Sequence, residues 1–217
     1  DMPYQMEISI YQEKFYNQAL AITRLEGVEE GEILRRADIA VEASQIPYTK
    51  EWLEWYGDTG VENRIRVCAL GEEAYTRYCA QAGVDPKEAR GKAIVMADYH
   101  WESDEDGKIH IEEGDIARFR PGDIIRGTGE SAGTQIEILK QTKARPLYLE
   151  GRTGNGIVLI VDDAWMDSAT GLMKYDDIYV YLNCEDVDGV EERIRSELPL
   201  QYFTLTNYEA LGRSDHS

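Results

Sequence analysis

Apolar and polar residues alternate at the start of the chain, with Tyr4, Met6, Ile8 and Ile10 set against Gln5, Glu7 and Ser9. That period of two predicts a half-buried strand over Tyr4–Tyr11. The period then lengthens. Phe15, Ala19 and Ile22, with Leu20 and Leu25 on the neighbouring face, follow helical spacing, and Gly27 stands where a helix stops. β character returns over Val28–Val41, where Arg35 and Arg36 mark one wet side. Ile65–Leu70 predicts another strand. The helix after it has Glu72 and Glu73 in its first turn, where the dipole favours acids, and an apolar stripe of Ala74, Tyr75, Tyr78, Cys79 and Ala82. Gly83 ends that helix, and Pro86 sits just inside a short one. Ala93–Tyr99 is nearly all apolar, as a central strand would be.

The middle of the chain changes character. Short runs of strand composition occur at Lys108–Ile111, Ile116–Arg120, Asp123–Arg126, Gln135–Lys143, Leu147–Leu149 and Gly156–Val161, separated by turns rich in Gly and Asp. Pro121-Gly122 predicts a tight turn, with Asp123 able to bond its side chain back to the turn backbone. Gly151-x-x-Gly154-x-Gly156 has phosphate-loop spacing, but a β run follows it where an anion-binding helix should start, so it reads as a hairpin loop. At the end, Ile178–Cys184 predicts a strand and Val187, Val190, Ile194 and Leu198 an amphipathic helix capped by Asp186 or Asp188. Tyr202–Thr206 is a last β run.

These elements predict an α+β protein with a β-α-β unit at each end and a β-rich insertion. The expected division is a discontinuous α+β domain of residues 1–63 and 172–217, with 64–171 as an inserted subdomain of one β-α-β unit followed by a β-rich segment. The stretch Ile46–Asn63 stands apart. It holds Pro47, Gly57, Gly60 and the aromatics Trp52, Trp55 and Tyr56, which fit either a satellite core under a loop or a carbohydrate or partner site.

Charge narrows the partners. The formal net charge is -19, a surface that repels the phosphates of nucleic acid and of anionic membranes. The same acidity keeps a protein soluble. Cys68, Cys79 and Cys184 form no C-x-x-C pair and no Cys/His cluster, so they read as small buried hydrophobes. No run reaches the roughly 18–20 apolar residues that span a bilayer.

The search for chemistry centres on the acidic stretch between His100 and His110. The two imidazoles flank a turn and, across a hairpin, would face each other near Asp98, Glu112 and Asp115. Exposed hairpin residues are the plainer reading. Glu102–Glu113 also has calcium-loop spacing. Glu102, Asp104 and Asp106 occupy the first alternate positions, Gly107 the sharp turn and Glu113 the last ligand position. Against this, the first position is Glu rather than Asp, the flanks read as strands, and Asp-Gly is a common hairpin tip. No metal or cofactor is therefore expected, with Glu102, Asp104, Asp106 and Glu113 as the calcium candidates. No G-x-S-x-G, H-E-x-x-H or P-loop pattern occurs, and no catalytic residue is assigned.

The order of elements resembles the extracytoplasmic domain of FtsX/MacB-type ABC transporter permeases, in their Gram-positive form. The resemblance rests on Leu25-Glu26-Gly27-Val28-Glu29 before the second strand and on Ile65–Gly83 continued by Val84-Asp85-Pro86. It rests also on Phe119–Ile125 with its Gly122-Asp123, and on Ile178–Leu182 followed by the helix from Val187. It implies a fold like the MacB periplasmic domain and a piece standing on the extracytoplasmic side of the cell membrane. Transmembrane helices would then lie before Asp1 and after Ser217. The implied partners are those helices, a cytoplasmic ATPase subunit, and an extracellular protein or peptide. The role would be non-enzymatic: contact with substrate or partner, coupled to the nucleotide cycle. The alternative is a secreted or surface binding module for carbohydrate or peptide, or one dependent on calcium.

Overall fold

The computed structural model describes residues 4–56, 63–146, 156–197 and 203–215. Its strands are β1 (Met6–Ile10), β2 (Val28–Val41), β3 (Asn63–Leu70), β4 (Ala93–Met96), β5 (Asp98–Glu105), β6 (Lys108–Asp115), β7 (Ile124–Arg126), β8 (Gln135–Gln141), β9 (Val158–Asp162), β10 (Met173–Cys184) and β11 (Phe203–Asn207). The helices are α1 (Tyr16–Thr23), α2 (Lys50–Tyr56), α3 (Glu72–Ala82), α4 (Pro86–Ala89), α5 (Asp163–Ser168), α6 (Val187–Glu197) and α7 (Tyr208–Asp215). The fold is α+β. Among the described residues no helix is long and apolar enough to cross a membrane.

The chain forms two compact units, Asp1–Arg36 with Tyr175–Ser217, and Ala37–Lys174. The junctions drawn from sequence stood at 63/64 and 171/172. The described residues between 37 and 63 count with the middle, and their hydrogen bonds go there: the Thr49 N–H donates to the Ile116 carbonyl and the Thr49 hydroxyl to the Asp115 carbonyl.

In the first unit the strand order is β11-β1-β10-β2, with β1 antiparallel to both β10 and β11. The two terminal β-α-β units therefore interleave, as in the split β-α-β arrangement. Alternation decides the faces. Met6, Ile8 and Ile10 lie opposite Leu182, Val180 and Ile178, and this face is buried with Ala19 and Ile22 of α1 and Val187, Val190 and Ile194 of α6. Asp186 caps α6, accepting from the Gly189 N–H at 3.1 Å.

The second unit is built on β2-β3-β9-β4-β8-β7, with β3 parallel to β9, β4 antiparallel to β9 and parallel to β8, and β7 antiparallel to β8. Its central strands are buried on both faces. Val67, Ala69, Val95, Leu159 and Val161 belong to one core, while Cys68, Leu70, Ile94, Met96 and Ile160 are buried on the opposite side of the pleat. α3 ends as expected at Gly83, with Val84 donating to Cys79 and Gly83 to Ala80. Asp85 caps α4 with Pro86 at its first turn. The turn at Pro121-Gly122 has Gly122 at φ 94°, and Asp123 accepts from the Arg120 N–H at 2.8 Å.

Three local differences from the sequence expectation have visible causes. The run Ala93–Tyr99 breaks at Ala97, whose carbonyl accepts from the N–H of Ile116 at 2.7 Å. Ile116–Arg120 is not a strand. Its backbone bonds instead to the side-chain amide of Gln141, through the Phe119 N–H at 2.7 Å and the Ala117 carbonyl at 2.9 Å, and to the Pro47 carbonyl. Helices α5 and α7 also form where the sequence suggests none; Asp162 caps α5, accepting from Trp165 at 3.0 Å. The segment Leu147–Leu149 and the Gly151–Asn155 part of the glycine-rich loop lie outside the described residues.

Candidate functional site

The acidic stretch folds as a two-stranded ribbon, β5 paired antiparallel with β6 from Asp98↔Asp115 to Glu105↔Lys108. Asp106 (φ 53°) and Gly107 (φ 76°) turn the corner, both in the left-handed region that a two-residue hairpin of this kind requires. Beyond its root the ribbon is exposed along both strands. Eight carboxylates stand against one lysine over residues 98–115, so it concentrates the negative charge of the chain.

The root is held by aromatics. Trp52 and Trp55 of α2 meet Tyr99 and Trp101 of β5, with ring centroids 5.1–6.1 Å apart and Trp55 stacked on Trp101 at 5.6 Å and 13°. The sequence singles out Trp52, Trp55 and Tyr56. The structure adds Tyr99 and Trp101, which stand two apart on one face of a run otherwise acidic; that spacing was the available signal. The side chain of Tyr56 is outside the described residues. An ion pair between Arg145 and Asp98 at 2.9 Å, and the Arg118–Asp115 pair at 3.1 Å, lie at the same end of the ribbon.

The register separates the groups that a catalytic or metal site would have to bring together. His100 faces Glu113 and His110 faces Ser103. The imidazoles are thus three residue pairs apart, roughly 10 Å along the ribbon, and on opposite faces. The facing pair anticipated from sequence does not form. His100 is instead held between Glu113 at 3.0 Å and Glu102 at 3.2 Å. These two hydrogen bonds raise its pKa above the ordinary histidine value.

The calcium spacing is likewise not realised as a loop. Glu102, Asp104 and Glu113 share a face, but Asp106 is at the tip, six residue positions along from the His100↔Glu113 pair, or roughly 20 Å. The hairpin that the Asp-Gly turn dictates carries the last ligand position, Glu113, away from Asp106. Among the described residues no group of three His, Cys, Asp or Glu side chains is placed to hold a metal ion.

No family model matches the chain, and no curated protein matches it in sequence. Solved structures similar to it include the periplasmic region of MacB from Actinobacillus actinomycetemcomitans. That match is 10% identical, covers 98% of this chain and 93% of that one, and has a TM-score of 0.48. Another is the extracellular domain of the noncanonic ABC-type transporter YknZ from Gram-positive bacteria. It is 10% identical, covers 93% of this chain and 100% of that one, and has a TM-score of 0.46.

The cysteines are placed for packing. Cys68, Cys79 and Cys184 are free and buried. Burial pushes the Cys184 thiol up to about 11 and raises Cys79 as well, so neither is poised as a thiolate nucleophile. Burial also raises the phenol of Tyr78, whose hydroxyl donates to the Ala144 carbonyl at 2.8 Å. What the ribbon and its aromatic root offer is therefore contact chemistry: apolar surface, ring faces and carboxylates.

Proposed function

We propose that this chain is the extracytoplasmic domain of an FtsX/MacB-type ABC transporter permease. In this reading it contacts a substrate or partner protein and couples that contact to a cytoplasmic ATPase, without bond-making chemistry of its own. Its partners are the transmembrane helices of the same permease, the ATPase subunit and an extracellular protein or peptide, with no nucleic acid.

One observation carries the reading. The first and last strands of the first unit meet at one end: the Tyr208 N–H donates to the Gln5 carbonyl at 2.8 Å, and the Tyr208 hydroxyl donates to Glu7 at 2.7 Å. A domain whose incoming and outgoing chain share one end can be held between two membrane helices with its fold undisturbed. Neighbouring termini are common in domains generally. Support comes from their combination with the element order that resembles the permease domain and with a surface of net charge -19, which stands off anionic lipid.

A second reading, a surface or secreted binding module, is favoured by Trp55, which is 53% exposed within the aromatic root. The two readings separate on purification of the full-length protein from its native membrane. The permease reading expects it in the detergent-extracted fraction, with a nucleotide-hydrolysing subunit bound. Recovery in the soluble fraction without such a subunit would overturn it.

A further inference from the structure

The ribbon has two faces. Tyr99 and Trp101 point toward α2 and are packed there. The other face carries Ile109 opposite Asp104, Ile111 opposite Glu102, and Glu113 opposite His100. Ile109 is 71% exposed and Ile111 56%. An exposed ribbon gains little from two isoleucines held in water, since threonine, equally β-branched, would serve the strand as well and avoid the exposed apolar surface. Side chains two apart on one strand stand about 7 Å from each other, which matches the spacing of alternate residues on a second extended segment.

We infer that this outer face is a docking surface for a basic extended segment of a partner protein, one that presents both apolar residues and lysine or arginine at every second position, on a single side. The apolar positions would cover Ile109 and Ile111, and the cations would reach Glu102, Asp104 and Glu113. Charge selects this occupant. A second copy of the chain would bring a ribbon of the same sign, and an anionic membrane surface would be repelled. Two-stranded ribbons also keep free backbone edges, to which an extended segment can add a third strand. The inference deepens the permease reading and takes from it only that the partner is met in the aqueous space outside the membrane.

The test uses the chain with a short amidated peptide in which lysine and valine share every second position and serine fills the positions between, followed by the methyl resonances of Ile109 and Ile111. The expected result is a saturable shift of those methyls that weakens with added salt. Affinity should fall at least about tenfold in an Ile109→Ser/Ile111→Ser variant and in a Glu102→Gln/Asp104→Asn/Glu113→Gln variant, while Ser103→Ala on the opposite face leaves it unchanged. Both multiple variants lie at exposed positions, and retained hydrogen-exchange protection of the second unit's core would confirm that they fold. Equal binding of a glutamate–valine peptide would overturn the inference, as would unaltered binding to the variants or no shift at millimolar peptide. Self-association that shifts the same methyls, or binding to anionic vesicles through this face, would overturn it too. If the peptide fails but the full-length protein still copurifies with an ATPase, only the docking surface falls and the permease reading stands.

Discussion

The strands β3, β9 and β4 and the ribbon β5-β6 belong to the same unit and are both β-sheet, yet they are stabilised in opposite ways. The central strands are buried on both faces, and their residues read as nearly unbroken apolar runs. The ribbon is exposed along most of both strands and is held at its root by four aromatic rings, the bonds of Thr49 and the Arg145–Asp98 ion pair. A two-stranded sheet alone is marginal in water. The contrast shows where the molecule keeps its stability and where it keeps surface for contact. The buried sheet holds the unit together, and the ribbon contributes little to it.

The sharpest way to break this comparison is to truncate both regions alike. Leu159→Ala, at a fully buried position, should destabilise the chain by ~2–5 kcal/mol in urea unfolding. Ile109→Ala should stay within about 0.5 kcal/mol of the parent. Equal losses would mean that the ribbon is part of the core. The next effect is at the root. Trp101→Ala removes three ring contacts, each worth ~0.5–1.5 kcal/mol, and should strip hydrogen-exchange protection from β5 and β6 while leaving β9 protected. At the tip, Gly107→Val forces a β-branched residue into φ 76° and should cost ~1–2 kcal/mol, read as faster exchange of the ribbon alone.

The smallest effect is electrostatic. Glu102 and Glu113 raise the pKa of His100, so its contribution is fully present below the unfolded-state pKa and is lost as pH rises through the folded one. An NMR titration should place the His100 midpoint above the usual ~6.5, and Glu113→Gln should lower it. A midpoint unchanged by that substitution would mean that Glu113 does not hold the ring.

Much of this was legible in the sequence because it is written in local rules. Alternation gave β1, helical spacing gave α1 and α6, Asp-Gly gave the ribbon tip, and Pro121-Gly122-Asp123 gave its turn with the side-chain bond in place. What was not legible depends on partners distant in the chain. Ile116–Arg120 has strand composition, and its bonds go instead to Gln141, more than twenty residues later, and to Pro47 and Thr49, far earlier in the chain. The interleaved order of the terminal strands also rests on long-range pairing. The candidate histidines and carboxylates were correctly placed on a hairpin, but their separation follows from register, which sequence spacing alone does not fix. Trp101 was missed as a partner of Trp52 and Trp55 because nearly fifty residues lie between them.

The central claim is that this domain stands outside the cell membrane as part of a permease, and surface labelling of the intact cell tests it most directly. The three cysteines of this chain are buried, so an Asp106→Cys variant of the full-length protein adds an accessible thiol at the ribbon tip. A membrane-impermeant maleimide added to intact cells should label that variant above the level of the parent. Labelling that appears only after the membrane is opened would contradict the account.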